Sequence, residues 1–104
     1  MANIHALHLM TLQNGRKKMR DIARSRKFDK EYQKLGGLSA ELIDVVYHLL
    51  HAIPLPEKYR DHALTGNWTG YRDCHIKPDL VLIYRITNDI LELHRLNSHS
   101  EIFG

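Results

Sequence analysis

The chain has 104 residues, 43% hydrophobic and 26% charged, with a net charge of +3 at pH 7. That length suits one small domain, and the composition excludes wholesale disorder. No apolar run approaches the roughly 18–20 residues that span a bilayer, and no signal peptide is legible, so the expected compartment is the cytoplasm. The single cysteine, Cys74, fits a reducing compartment and excludes an internal disulfide.

The charge is unevenly spread. Nine basic residues lie between positions 16 and 34: Arg16, Lys17, Lys18, Arg20, Arg24, Arg26, Lys27, Lys30 and Lys34. Three acidic residues, Asp21, Asp29 and Glu31, lie among them, so the stretch carries +6 and the remainder −3. A concentrated basic stretch favours a polyanion or an acidic protein partner, although a solvated helix face accounts for a charge run equally well.

In chain order, residues 1–19 carry no sustained period and read as a flexible extension, with residues 20–104 as the domain. Arg20 to Arg24 reads as a short first strand. Ser25 can cap a helix that buries Phe28, Tyr32 and Leu35, with Gly36 and Gly37 as its stop. Ser39 opens a second helix, and Leu38 is placed to pack on Ile43 across its first turn. Leu42, Val45, Val46, Leu49, Leu50 and Ile53 give that helix a continuous apolar stripe, which Pro54 and Pro56 end. From there the period changes to two. Asn67 to Ile76, Asp79 to Thr87 and Ile90 to Leu96 read as three strands joined by turns at Lys77-Pro78 and Asn88-Asp89. Leu80, Leu82, Tyr84 and Ile86 share one face of the middle strand, and Val81 and Ile83 the other. The expected fold is therefore α+β, with two N-terminal helices packed on a small, mainly antiparallel twisted sheet.

Polar groups gather in the second half: Asp61, His62, Arg72, Asp73, His75, Asp79, Arg95 and His99. Such a set suits RNA cleavage without a metal. The 2′-hydroxyl must lose a proton to attack its own phosphate, the 5′-oxygen must gain one, and the added negative charge must be stabilised. Histidine serves either proton transfer near neutral pH, and arginine holds a phosphate while staying charged. Strict alternation puts Arg95 in line with Leu91 and Leu93, where a structural ion pair is the commoner role. The same alternation turns His94 outward to solvent, and His99 falls in a loop beyond the strand. His48 and His51 lie off the apolar stripe and read as surface residues. Trp68 and Tyr71 could stack on bases, but filling the core is at least as good a reading. Cys74 reads as a small buried hydrophobe. The histidine spacing matches no common zinc pattern, so no metal or other cofactor is expected.

The second half also carries a motif set: Pro54-Leu55-Pro56, Tyr59, Asp61-His62, Leu64, Gly66, Trp68, Gly70-Tyr71-Arg72-Asp73, His75, Pro78-Asp79 and Leu82-Ile83-Tyr84. It ends with Arg95, Ser98-His99 and Phe103-Gly104. This set resembles the YafQ branch of the RelE toxin superfamily, over a stretch from about Arg20 to Gly104. The resemblance implies a small sheet with two N-terminal helices, and a toxin that enters the ribosomal A site. It implies metal-independent cutting of messenger RNA by 2′-hydroxyl attack, leaving a 2′,3′-cyclic phosphate. It implies His62, His75, Asp79, Arg95, His99 and Phe103 as the functional set. Asp79 or His75 would be general base and His99 general acid. Arg95 would hold the scissile phosphate, His62 would position substrate, and Phe103 would orient a base. The implied partners are messenger RNA on the ribosome and a small antitoxin of the DinJ/RelB kind, through which operator DNA is bound indirectly. The basic residues from Arg16 to Lys34 would contact RNA or the antitoxin. Leu80 stands where the family pattern has tryptophan, so base preference does not carry over. The competing reading is a non-catalytic ribosome- or antitoxin-binding module of the same fold. A DNA-reading helix fits poorly, because the second helix offers mainly Glu41, Asp44, His48 and His51 outside its apolar face.

Overall fold

The computed structural model of the chain describes residues 19–104. Arg16, Lys17 and Lys18, and all but the last residue of the expected extension, lie outside that range. The elements are β1 (Asp21–Arg24), α1 (Arg26–Leu35), α2 (Ala40–Leu50), β2 (His62–Ala63), β3 (Arg72–Lys77), β4 (Leu80–Thr87), β5 (Ile90–Asn97) and α3 (His99–Phe103). Single 3-10 turns cover Glu57–Tyr59 and Gly66–Trp68. The α+β expectation holds: five strands form one sheet in the order β1-β5-β4-β3-β2, antiparallel except where β1 runs parallel to β5.

Local chemistry explains most of the elements. Ser25 and Ser39 cap α1 and α2, each accepting the N–H of the third residue onward, Phe28 and Leu42. Gly36 ends α1 in the left-handed region at φ 82°, which glycine adopts without penalty. Asn88 and Asp89 both take positive φ, so the β4–β5 hairpin closes on a two-residue turn matching strand twist.

Central strand β4 divides the interior as its alternation predicts. Leu82 and Tyr84 face the main core with Phe28, Leu42, Val45, Leu49, Cys74, Leu91, Leu93 and Leu96. Val81 and Ile83 face a smaller core with Tyr71, where Trp68, Ile102 and Phe103 pack. The helices α1 and α2 thus cover one face, and α3 with the 64–71 segment covers part of the other.

Several boundaries differ from the sequence reading. Leu35 and Ile53 are exposed, not core, at 46% and 41%. The helix α2 stops at Leu50, well before Pro54, and Ala52 takes positive φ. Leu38 and Ile43 are both largely exposed and line a groove between the helices instead of burying one another. The expected strand from Asn67 is a 3-10 turn and bend as far as Tyr71, where Gly70 takes φ 95°. Two-residue β2 and five-residue α3 are too short to leave a periodic signature, and the sequence reading has neither.

Leu82 is fully buried in the main core, so Leu82→Ala is expected to cost about 3 kcal/mol. Thermal denaturation should then show a Tm lower by roughly 12–20 °C for a domain of this size. A fall of only a few degrees would contradict a single cooperative helix-side core.

Candidate active site

The segment before the sheet's far edge is fixed first. Tyr59 is buried and its hydroxyl donates to Asp44 Oδ2 of α2 at 2.6 Å. That bond, aided by burial, pushes the Tyr59 phenol up to about 12. Two residues on, Asp61 accepts a fork from Arg72, with Nη2 to Oδ2 at 2.9 Å, and a hydrogen bond from the Tyr84 hydroxyl. Burial, then the Asp61 bond, drives the Tyr84 phenol far above its usual range. His62 is thereby presented at the edge of the sheet, with Nδ1 2.8 Å from the Arg60 carbonyl.

Strand register then assembles a row. His62 pairs with Asp73, Asp73 with Ile83, and Ile83 with Arg95. Cross-strand partners share a face, so this row crosses four strands on the side away from α1 and α2. His75 lies two residues beyond Asp73 on the same face and pairs with Val81.

Asp73 is the centre of this arrangement. It is 2% exposed, and its Oδ1 lies 3.1 Å from His62 Nδ1 without a satisfied hydrogen bond. Burial raises its carboxyl above the ordinary value, while His62, His75 and His99 pull it down in that order. Of the three histidines, only His62 is in contact with it.

His99 belongs to α3 and not to a loop. Ser98 caps that helix by accepting the Glu101 N–H at 3.2 Å. The His99 ring lies 4.6 Å from that of Phe103, which meets Trp68 edge-on at 6.2 Å. Phe103 is half-buried and anchors α3 against the smaller core.

Arg95 departs from its expected place. β5 carries one extra residue, His94, between the Leu93–Tyr84 and Arg95–Ile83 pairs. The bulge shifts the phase, so Leu96 joins Leu91 and Leu93 in the main core and Arg95 does not. Arg95 instead grips Glu31 of α1 by two donors, Nε and Nη2, the latter at 2.8 Å. Glu31 also accepts from the Leu96 N–H at 2.9 Å and from Asn97 Nδ2 at 3.0 Å. Burial works against the Glu31 carboxylate, but these donors outweigh it and hold its pKa below the usual value.

The bulged residue is a second correction. His94 is fully buried, not solvent-exposed. Its Nε2 lies 3.0 Å from Glu92 Oε1, and its ring meets Tyr71 edge-on at 4.7 Å. Burial lowers its pKa, opposed only in part by Glu92, so it sits neutral in the core. Arg85 pairs with the same Glu92 and stacks over Tyr71 at 4.7 Å.

Asp79 sits exposed in the two-residue turn between β3 and β4 and makes no hydrogen bond or ion pair among the described residues. The basic stretch separates into two kinds. Arg20 and Arg24 have structural partners: Arg20 donates to the Leu49 carbonyl at 2.6 Å, and Arg24 lies 3.2 Å from Asp29. Arg26, Lys27, Lys30 and Lys34 are exposed on α1. Among the described residues, no three histidine, cysteine or acidic side chains gather as a metal-binding group.

Residues 20–104 match the family described as bacterial toxin of type II toxin-antitoxin system, YafQ. The chain belongs to the YafQ toxin family. The mRNA interferase toxin YafQ of Escherichia coli is 39% identical over 85 residues, which cover 82% of this chain and 86% of that protein. A copper-bound mutant toxin from Helicobacter pylori superposes with a TM-score of 0.78 at 41% identity, covering 82% of this chain and 100% of that one. The toxin in the Escherichia coli DinJ-YafQ complex superposes with a TM-score of 0.71 at 38% identity, covering 82% and 99%.

In this YafQ-family chain the sequence reading missed Asp73 as the buried partner of His62 and Glu31 as the partner of Arg95. The first was legible in principle, since Tyr71, Asp73 and His75 alternate onto one face. The second was not, because 64 residues separate Glu31 from Arg95.

Glu31→Gln is expected to destabilise the protein by about 3 kcal/mol at pH 7, since it leaves Arg95 without its countercharge. Because the folded pKa of Glu31 is depressed, its contribution is complete above the ordinary value of 4.5 and is lost as pH falls through the folded value. Denaturant titrations from pH 7 to 3 should show wild type and variant converging only below that point; a gap constant with pH would reject the ion-pair origin.

Proposed function

We propose that the chain is an mRNA interferase, an endoribonuclease that cuts messenger RNA in the ribosomal A site and so arrests translation in the cytoplasm. The observation that carries this reading is His62 held 3.1 Å from buried Asp73, with His75 two residues along the same strand face, on the side of the sheet away from α1 and α2. Relatives named mRNA interferase toxin YafQ support it. Among the described residues no helix is long and apolar enough to cross a membrane, which accords with a cytoplasmic site of action.

His99 is the general acid, delivering a proton to the 5′-oxygen as the P–O bond breaks. His75 or Asp79 takes the proton from the 2′-hydroxyl as that oxygen attacks phosphorus, and a 2′,3′-cyclic phosphate remains. Proton transfers by side chains serve both ends of the reaction, so no metal is required. His62 holds substrate at the sheet edge. Arg95 gives two donors to Glu31, which orients the guanidinium and leaves its Nη1 edge for the scissile phosphate. Phe103 positions His99 by ring contact and packs beside the bound base.

The partner is a small antitoxin, as in the DinJ-YafQ complex, and operator DNA is reached only through it. Exposed Arg26, Lys27, Lys30 and Lys34 fit an acidic antitoxin segment or ribosomal RNA. The same helix contributes Phe28 and Tyr32 to the apolar groove beside Leu38, Ile43 and Tyr47, which suits the antitoxin's apolar side chains.

His99→Ala should lower the cutting rate by roughly 10²–10⁴-fold. It should leave Tm nearly unchanged, because His99 is exposed. Mapping messenger 5′ ends in translating ribosomes, with and without the variant, measures this directly. Wild-type cutting by His99→Ala would remove it as the acid. In pH–rate profiles, His75→Ala or Asp79→Ala should abolish the acidic limb; an intact limb in both variants would remove both as bases.

A further inference from the structure

A cavity of about 590 Å³ lies outside the histidine group, between the N-terminal half of α2, the 57–60 turn and the end of β3. Its wall includes Lys58, Arg60 and Lys77 with one carboxylate, Glu41, and it shares His75 with the candidate active site. From this geometry we infer a subsite for one phosphodiester of single-stranded RNA, next along the strand from the bond that is cut. The inference rests on the RNA-cutting reading and extends it to substrate positioning.

Charge pairing separates these cations from the arginines that tie segments together. Arg20, Arg24, Arg72, Arg85 and Arg95 each have a carboxylate within 3.5 Å. Lys58, Arg60 and Lys77 have no ion pair among the described residues, and Lys58 instead lies over the Tyr59 ring at 5.1 Å. Three cations against the one carboxylate Glu41 leave the concavity with net positive charge, which focuses a positive field on its interior. A cavity of this volume is in the range that holds a small ligand.

Backbone geometry ties the cavity to the histidines. Arg60 sits in the left-handed region at φ 52° and ψ 43°, a conformation that non-glycine residues hold only where the surroundings impose it. Its carbonyl receives His62 Nδ1, so the residue that lines the cavity also orients the sheet-edge histidine. On the other wall, β3 bulges at Ile76, between the His75–Val81 and Lys77–Leu80 pairs. The bulge breaks the alternation, so Lys77 pairs with a residue of the main-core face while His75 stays on the active-site face. His75 thus stands at the boundary of the two spaces. A strand whose scissile phosphate lies among the histidines has its neighbouring phosphate beside Arg60 and Lys77. An acidic protein segment would satisfy the same charges, but it has no reason to meet them beside a proton-transfer group.

The test uses the full chain, a short RNA fully 2′-O-methylated so that it binds without being cut, and the double variant Lys58→Gln/Lys77→Gln. At low salt the variant should bind this RNA about 5–10-fold more weakly. The slope of log Kd against log salt should fall by about 0.7, the value for one phosphate of a single strand. Lys58→Arg/Lys77→Arg should restore both, which separates charge from folding. In ribosome cutting assays KM should rise while kcat stays close to wild type, since these cations hold a phosphate that does not react. Unchanged affinity and slope would overturn the subsite. So would loss of affinity for a polyglutamate peptide with RNA binding intact, which would assign the cavity to an acidic protein. If the wild type shows the RNA binding and slope but cuts no message, the subsite stands and the enzymatic reading fails.

Discussion

β5 holds one residue more than β4 can pair, and the surplus falls at His94. That surplus would leave the outer edge of β5 with unmet backbone groups, because β1 accompanies β5 only as far as Leu93. The segment after β1 meets them. Ser25 donates its N–H to the Leu93 carbonyl at 3.0 Å and its hydroxyl to the His94 carbonyl at 2.8 Å, while its Oγ accepts from Phe28. Nearly two turns later Glu31 receives Leu96 and Asn97. One carboxylate and one hydroxyl therefore complete an edge that backbone pairing abandons.

The position of α3 follows. Asn97 donates to Glu31, accepts from the Ser98 N–H at 2.8 Å, and Ser98 caps α3. The route from α1 to His99 is thus a continuous series of hydrogen bonds, not a free loop. Without the extra residue, Leu96 would leave the main core, Arg95 would enter it, and the helix bearing His99 would start from the opposite phase of the strand.

The molecule sorts its charges by use. Arg72, Arg85 and Arg95 each meet a carboxylate through a fork or close contact, and each such pair ties two segments together: 61 to β3, β4 to β5, β5 to α1. Among the described residues, the cations without such partners are on the outside of α1 and in the cavity beside His75. The ion pairs that tie the sheet together and the exposed positive charge are therefore carried by different residues. Asp73 is the exception in the other direction, a buried carboxyl whose Oδ1 lies 3.1 Å from His62 without a hydrogen bond, which costs folding energy.

The sequence by itself determined the α+β class, the capped starts of α1 and α2, the β3–β4–β5 hairpins and the two-sided burial of β4. Each of these follows from interactions within a few residues, which periodicity and turn chemistry report directly. It also named six candidate site residues, through the family resemblance; the structure puts His62 beside Asp73 and His99 beside Phe103 on α3, leaves Asp79 apart in an exposed turn, and pairs Arg95 with Glu31. What the tertiary structure alone decided was where one surplus residue in β5 would be absorbed. Alternation has no term for a bulge, so it put His94 in water and Arg95 in the core, the reverse of what packing requires. The partners that stabilise the bulge, Ser25 and Glu31, come from more than sixty residues away, and no local pattern can report a contact at that separation.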